Sequence, residues 1–162
     1  MDPFEALGIE RRWDVAESAV RDAQRRSAAK WHPDRFRDPA DRDAAQRRVA
    51  MVNEAAATLL DPLERGRALL EAIAPSPRPA EPRPAPVFLA EMLELHEGLS
   101  ADDPATRAAA HERVRWLRQQ AESEAAARFE ALKPGDGASW LAAASALATL
   151  RATVRAMEGW SA

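Results

Sequence analysis

The residues of this sequence best suited to act on another molecule form the tripeptide His32-Pro33-Asp34. Proline disfavours helical geometry at the residue before it, so a helix that runs to Trp31 has to end there and expose the imidazole and the carboxylate at a corner. Four cations occupy the segment that leads to this corner: Arg21, Arg25, Arg26 and Lys30. No recognisable motif supplies a serine, a cysteine or a second carboxylate that would make His32 a general base. The pattern therefore predicts a charged binding site and no enzymatic activity in this chain.

Two predicted helices lead up to the corner. The segment DPFEALGI starts with an Asp-Pro pair and ends at Gly8, which indicates a short first helix. The second helix is predicted from about Val15 to Trp31, with Asp14 as its N-cap and Glu17 completing a capping box. Its modest apolar stripe lies opposite the cations and consists of Val20, Ala23, Ser27 and Trp31.

Two further helices are predicted after the corner. The pair Asp38-Pro39 restarts the helix, and the pair Asp61-Pro62 interrupts it again. Apolar residues recur between these pairs at spacings of three and four, which predicts one apolar stripe: Val49, Val52, Ala56 and Leu59. A last short helix is predicted around Leu63, Leu69, Leu70 and Ile73.

The composition favours an all-α protein in two parts. The 162 residues are 46% hydrophobic and 30% charged, with abundant Ala, Leu, Glu and Arg and few Val, Ile or Thr, which favours helix. Proline recurs every two or three residues in APSPRPAEPRPAP, residues 74–86, and prevents a continuous helix there. We therefore expect two small helical domains, residues 1–73 and 87–162, joined by a stiff linker at 74–86.

Three apolar stripes predict a three-helix bundle for residues 87–162. The first stripe consists of Leu89, Met92, Leu93, His96 and Leu99. A long second helix is predicted from Pro104 to about Leu132, and its stripe consists of Ala110, Val114, Leu117 and Ala121. The turn KPGDG separates it from a third helix. The third stripe consists of Trp140, Ala144, Leu147, Val154 and Met157. Because alanine supplies much of the apolar content, we expect closely approaching helices anchored by a few large side chains: Trp13, Trp31, Trp116, Trp140 and Trp160.

The first domain resembles the J-domain, the helical module that activates ATP hydrolysis by heat-shock chaperones of the DnaK type. The resemblance covers residues 1–73 and centres on His32-Pro33-Asp34, placed between a basic helix and a longer antiparallel helix. It implies a helical hairpin with short flanking helices. It also implies that Asp34 engages an arginine of the ATPase domain, and that the basic helix docks on an acidic surface of that domain through Arg21, Arg25, Arg26 and Lys30.

The whole chain resembles the HscB family of co-chaperones, which assist iron–sulfur cluster assembly. The segments that carry this resemblance are MDPFEALGI, DPLERGRALLEAI and FLAEMLELHEGL. The resemblance implies two partners, an HscA/DnaK-type ATPase and the cluster-assembly scaffold protein, and it implies that the scaffold binds Leu89, Ala90, Leu93, Glu94 and Glu97. A leucine stripe is explained equally well by burial in the bundle, and the residues leave both readings open for Leu89 and Leu93. A general J-domain co-chaperone with a different client is the alternative.

Several other functions are disfavoured by what the sequence lacks. With no cysteine and three dispersed histidines, the chain is predicted to hold no metal and no cofactor. It shows neither an export signal nor the ~18 consecutive apolar residues of a membrane helix, so we expect a cytoplasmic protein without a membrane partner. The net charge of -3 argues against nucleic-acid binding, which remains a less favoured alternative because of the basic helix.

Overall fold

The computed structural model describes residues 1–75 and 77–158, and within these residues every regular element is helical. The all-α prediction is confirmed. The chain divides into two compact units, called here unit 1 (Met1–Ala72) and unit 2 (Ile73–Ala162). The described helices are α1 (Pro3–Leu7), α2 (Glu17–Lys30), a 3-10 turn (Pro33–Arg35), α3 (Pro39–Leu60), α4 (Pro62–Ala72), α5 (Pro86–Leu99), α6 (Pro104–Glu130) and α7 (Gly137–Glu158).

Asp-Pro pairs start four of the described helices, and their aspartates are Asp2, Asp38, Asp61 and Asp103. At the start of α3, Asp38 Oδ1 accepts a hydrogen bond from the backbone N–H of Ala40 at 2.8 Å. At the start of α6, Asp103 Oδ2 accepts one from the backbone N–H of Thr106 at 2.8 Å. Each carboxylate satisfies an N–H group that has no partner within the first helical turn. The beginnings of these helices are therefore set locally.

The predicted cap at Asp14 is wrong. Helix α2 begins at Glu17, and its N-cap is Ala16, a residue whose side chain has no hydrogen-bond acceptor. Asp14 Oδ2 instead accepts a hydrogen bond from Arg12 Nη2 at 3.2 Å. The backbone N–H of Val15 bonds to the carbonyl of Trp13 at 3.0 Å, which folds this stretch into a turn and delays the helix.

Helix α3 is the centre of unit 1, where it packs against α1, α2 and α4. The largest fully buried side chains of this unit are Phe4 of α1, Val20 of α2, and Val52 and Leu59 of α3. Helices α2 and α3 thus form a hairpin flanked by two shorter helices, as predicted. The 3-10 turn contacts α3 and connects the two arms of this hairpin.

Arg65 joins the segment before α2 to the junction of α3 and α4. Its guanidinium lies 5.3 Å from the ring centroid of Trp13, and its Nη1 donates a hydrogen bond to the carbonyl of Leu59 at 2.6 Å. Partial burial lowers the pKa of Arg65 by desolvation, and the negative charge of Asp61 opposes this shift. Trp13 therefore serves as a packing anchor.

Unit 2 is a three-helix bundle in which α6 packs against both α5 and α7. Trp140 and Leu150 of α7 and Val114 of α6 are among its fully buried side chains, and alanines fill much of the remaining core. A Cβ atom added at Gly98 of α5 would lie 3.2 Å from the Cβ of Ala110 on α6. Glycine therefore permits a close approach of these two helices, in keeping with the alanine-rich composition.

The prediction that Trp116 anchors the packing is wrong. Its side chain is 48% exposed, and the guanidinium of Arg113 lies 4.4 Å from its ring centroid. The neighbouring residues Val114 and Leu117 are buried, so the helical period turns Trp116 outward on α6. Trp160 lies outside the described residues.

The proline-rich segment separates α4 from α5. Among its described residues from Ile73 to Ala85, none is helical. Pro86 was predicted to lie in the linker, but helix α5 begins at this residue. Proline is well tolerated at the first position of a helix. In the part of the chain that the structure describes, each helix is too short or too polar to cross a bilayer.

Candidate functional site

The His-Pro-Asp corner lies between α2 and α3 in unit 1. Helix α2 ends at Lys30, and His32 has the extended backbone angles φ -62° and ψ 127°, as expected for a residue before proline. The 3-10 turn that follows is closed by a hydrogen bond from the backbone N–H of Arg35 to the carbonyl of His32 at 3.0 Å. The proline thus enforces the predicted break.

The carboxylate of Asp34 is presented to solvent at this corner. Its side chain is 88% exposed, that of His32 is 59% exposed, and His32 Nδ1 lies 3.6 Å from Asp34 Oδ2. The backbone N–H of Asp34 donates a hydrogen bond to His32 Nδ1 at 3.3 Å. His32 therefore caps the turn and lies against the aspartate, while the carboxylate remains accessible to another molecule.

Contacts on both sides of the tripeptide hold the corner in shape. The rings of Trp31 and Phe36 stack with their centroids 6.1 Å apart and their planes 8° from parallel. Arg35 Nη1 donates a hydrogen bond across the turn to the carbonyl of Ala29 at 3.2 Å. These contacts were not predicted, although two aromatic residues flanking a proline turn are a signal from which the stack could have been inferred.

The four predicted cations are all exposed on α2, and two of them are paired within the helix. Arg21 forms an ion pair with Glu17 at 2.6 Å, and Arg25 pairs with Asp22. Lys30 Nζ lies 5.3 Å from the ring centroid of Trp31. Exposed ion pairs within a helix contribute little to the stability of the fold, so their arginines can exchange partners easily. Helix α2 therefore has an exposed basic face, whose charge is partly neutralised by Glu17 and Asp22.

Arg26 and Lys30 are the cations of this face that form no ion pair with any residue the structure describes. They lie eight and four residues before Asp34, on the last turns of α2. Positive charge without a local partner is therefore concentrated at the end of α2 next to the corner, where it strengthens the attraction of an acidic surface.

A second exposed surface lies on α5 in unit 2. Leu89 is 48% exposed and Leu93 is 61% exposed, whereas Met92 is buried. The two leucines are one turn apart and share a face of α5. The other predicted positions on this helix, Ala90, Glu94 and Glu97, are also exposed. The structure therefore places the two leucines on the surface and not in the bundle core.

Beside these leucines, α5 and α7 enclose a groove of about 610 Å³. From α5 it is lined by Leu89, Met92, Leu93 and His96. From α7 it is lined by Ala148, Arg151, Ala152, Arg155 and Ala156. The two arginines on α7 were not predicted as site residues. Their spacing of four places them on one helix face, but only the packing of α7 beside α5 brings them to the leucines.

The described residues contain no group of three or more His, Cys, Asp or Glu side chains arranged to hold a metal ion. His96 lines the groove. His32 acts as a cap at the corner.

Comparison with curated proteins points to one family. No protein-family model matches the chain. The co-chaperone protein HscB homolog of Bordetella avium is 34% identical over 126 residues, which span 73% of this chain and 73% of that protein. The homolog of Bordetella petrii is 42% identical over 72 residues, which span 43% of this chain and 42% of that protein.

Solved structures agree with the sequence comparison. The chaperone HscB from Vibrio cholerae superposes with a TM-score of 0.76 and 26% identity, over 98% of this chain and 94% of that chain. The human co-chaperone protein HscB superposes with a TM-score of 0.80 over 98% of this chain and 80% of that chain, and at 23% identity it supports the fold. By the extent of its similarity to the Bordetella avium protein, this chain belongs to the HscB family of co-chaperones.

Proposed function

We propose that this co-chaperone stimulates ATP hydrolysis by an HscA/DnaK-type heat-shock chaperone through the His-Pro-Asp corner, and that it delivers an iron–sulfur cluster assembly scaffold protein through α5. The chemistry takes place in the ATPase, and this chain acts by binding. The observation that supports the first part most strongly is the 88% exposure of the Asp34 side chain on a corner held by its neighbours.

An exposed carboxylate on a rigid corner is suited to a charge-assisted hydrogen bond with an arginine of the partner, as the family resemblance implies for Asp34. Such a contact stimulates hydrolysis only if it favours the hydrolysis-competent state of the ATPase over the other state. The cations of α2 contribute by attracting an acidic surface, and His32 contributes by fixing the turn through its hydrogen bond with the N–H of Asp34.

The test is steady-state ATP turnover by the heat-shock chaperone with and without this protein. Asp34→Asn keeps the size of the side chain and removes its charge, and His32→Gln removes the imidazole cap. We expect both variants to lose most of the stimulation. The matched control is Asp43→Asn, since Asp43 is an exposed aspartate on α3 that is not part of the 3-10 turn. Full stimulation by both corner variants would overturn the proposal.

The exposed face of α5 supports the second part of the proposal. Leu89 and Leu93 provide an apolar anchor, and Glu94 and Glu97 lie beside them as exposed carboxylates. Apolar anchors bordered by charge are typical of specific interfaces, in which the anchor supplies affinity and the charges select the partner.

Capture of purified scaffold protein tests this part. We expect the double variant Leu93→Ser with Glu97→Lys to lose capture while circular dichroism shows an unchanged helical fold, because both side chains are exposed. Trp116→Ser, which alters an exposed apolar residue on α6, is the control and is expected to bind normally. If the unchanged chain stimulates the ATPase but captures no scaffold, it is a J-domain co-chaperone with a different client.

A further inference from the structure

We propose that Arg151 and Arg155 on α7 make the groove beside Leu93 selective for a segment of the scaffold protein that carries carboxylates next to an apolar anchor. This inference rests on the proposed scaffold binding and extends it from one face of α5 to a two-sided groove. It assigns a specificity role to α7, for which neither the motif on α5 nor its spacing gives any indication.

The floor of the groove provides space for an apolar side chain. Met92 forms part of it from α5 and is only 8% exposed. On α7, Ala148, Ala152 and Ala156 recur at every fourth position and also line the groove. Because alanine side chains are short, the space of about 610 Å³ stays open between the helices, and its size lies within the range of natural binding pockets.

The charges that line the groove are all positive. Arg83 from the segment before α5 joins Arg151 and Arg155 of α7, and the lining residues include no aspartate or glutamate. A guanidinium group binds a carboxylate through two parallel hydrogen bonds, and it does so best beside apolar surface that excludes water. The groove is therefore suited to an occupant that supplies carboxylates.

The arginines of the groove differ from the other described arginines of unit 2. Arg113 pairs with Glu91 and Arg128 with Glu124. Each of the remaining arginines outside the groove also makes an ion pair or a hydrogen bond: Arg78, Arg107, Arg115 and Arg118. By contrast, the three groove arginines form no ion pair and no hydrogen bond with any side chain or backbone group that the structure describes. Uncompensated positive charge is thus concentrated where the apolar surface is open.

The surface around Leu93 has opposite charges on its two sides. Glu94 and Glu97 of α5 are exposed and do not line the groove, whereas Arg151 and Arg155 do. A bound segment is therefore expected to direct its carboxylates toward α7 and its cations toward the outer side of α5. Complementarity of this kind fixes the orientation of a partner and rejects segments of the wrong charge.

The experiment measures the affinity of purified scaffold protein for the full chain by calorimetry. Arg151→Glu with Arg155→Glu is expected to weaken binding by about tenfold or more at low salt, since it places like charges against the carboxylates of the segment. Arg151→Gln with Arg155→Gln removes charge without repulsion and is expected to weaken binding less. The matched control Arg115→Glu reverses the charge of a residue on α6 that donates a 3.4 Å hydrogen bond to the carbonyl of His111. The affinity of this variant for the scaffold should not change.

Charge exchange makes the test specific. Single acidic residues of the scaffold are replaced by lysine, one at a time. The replacement at the residue that contacts α7 should restore affinity for the chain that carries Arg151→Glu and Arg155→Glu. Thermal unfolding confirms that each variant is folded. If Leu93→Ser removes binding but both arginine variants bind as tightly as the unchanged chain, the inference is overturned and scaffold binding stands. If the unchanged chain does not bind the scaffold, both proposals are overturned.

Discussion

The His-Pro-Asp corner of unit 1 and the groove of unit 2 expose their binding side chains in different ways. At the corner, Pro33 interrupts the helix, and the carboxylate of Asp34 projects from a three-residue turn. In the groove, α5 and α7 stay regular, and the space between two helix faces forms the site. The corner therefore depends on a few local contacts, whereas the groove depends on how a whole bundle packs.

This difference determines which changes should damage each surface. The turn at the corner is held by Trp31, Phe36 and Arg35, all within a few residues of Asp34. The walls of the groove are more than fifty residues apart in sequence, and they are positioned by the packing of α6 against α5 and α7. A mutation in the core of unit 2 should abolish the groove, but the corner should be sensitive chiefly to changes close to it.

The largest expected effect comes from Trp140→Ala. Trp140 is the largest fully buried side chain, and its truncation is expected to destabilise unit 2 by about 3–5 kcal/mol. Chemical denaturation measures this loss. Scaffold capture should fall with it, while ATPase stimulation measured without scaffold should persist. Trp116→Ala, at an exposed position, is the control. An equal fall in both activities would show that the two surfaces are not independent.

Charge reversal next to the corner should have the next largest effect. Arg26→Glu with Lys30→Glu is expected to slow association with the ATPase by about tenfold at low salt, because these cations attract the partner before contact. The concentration of co-chaperone needed for half-maximal stimulation should rise, and the difference should shrink as salt is added. The control is Arg47→Glu on α3. A lower maximum at saturation, with no salt dependence, would contradict a role in attraction.

A smaller effect is expected from loosening the corner itself. Phe36→Ala removes the stacking contact with Trp31, which contributes about 0.5–1.5 kcal/mol. A loss of about 1 kcal/mol lowers the equilibrium constant for the ordered turn roughly fivefold, so stimulation should fall by at most that factor while the domain stays folded. Phe36→Tyr keeps the ring and should retain the activity. Equal activity of the alanine and tyrosine variants would show that the stack does not position Asp34.

The smallest expected effect is a pH dependence of the stability of unit 2. Hydrogen bonds from Thr106 lower the pKa of Asp103, and hydrogen bonds from Ser139 lower the pKa of Asp136, each from the ordinary value of 3.8. Just below pH 3.8 the unfolded chain binds protons that the folded carboxylates do not. The two hydrogen-bonded carboxylates therefore contribute to the free energy of unfolding above pH 3.8, and this contribution is lost as the pH falls through their lower folded pKa values.

Unfolding measured between pH 7 and pH 2 checks this prediction. Asp103→Asn with Asp136→Asn keeps capping groups at both helix starts, so the stability at neutral pH should change little, and the loss on acidification should become smaller. Ser18→Ala, at an exposed position on α2, is a control without a carboxylate. Parallel pH curves for the Asn variant and the unchanged chain would contradict the assigned cause.

Features that depend on neighbouring residues were predictable from the sequence. Pro33 and the Asp-Pro pairs identified where helices end and begin, because proline and a capping carboxylate act within one turn. The same reasoning failed at Asp14, where the backbone bond between Val15 and Trp13 competes with the cap. An aspartate therefore caps a helix at Asp38 but not at Asp14, although the residue type is the same.

Features that depend on packing between distant elements were not predictable. The sequence left Leu93 equally suited to a core or a surface, because the face of α5 that is buried is decided by α6. It gave no reason to single out Arg151 and Arg155, since their role requires that α7 lie beside α5. The rotation of each helix about its axis is set by side-chain interdigitation, which periodicity alone does not specify.

The close contact at Gly98 has a consequence for recognition at a distance. Because glycine places no Cβ atom between the backbone of α5 and the Cβ of Ala110, the C-terminal part of α5 lies close to α6. Leu93 and Leu89 lie on the same helix, five and nine residues before this contact, and both are exposed. A larger side chain at position 98 would push α5 and α6 apart, and a shift of α5 would present a partner with differently placed side chains although no residue of the exposed face had been mutated.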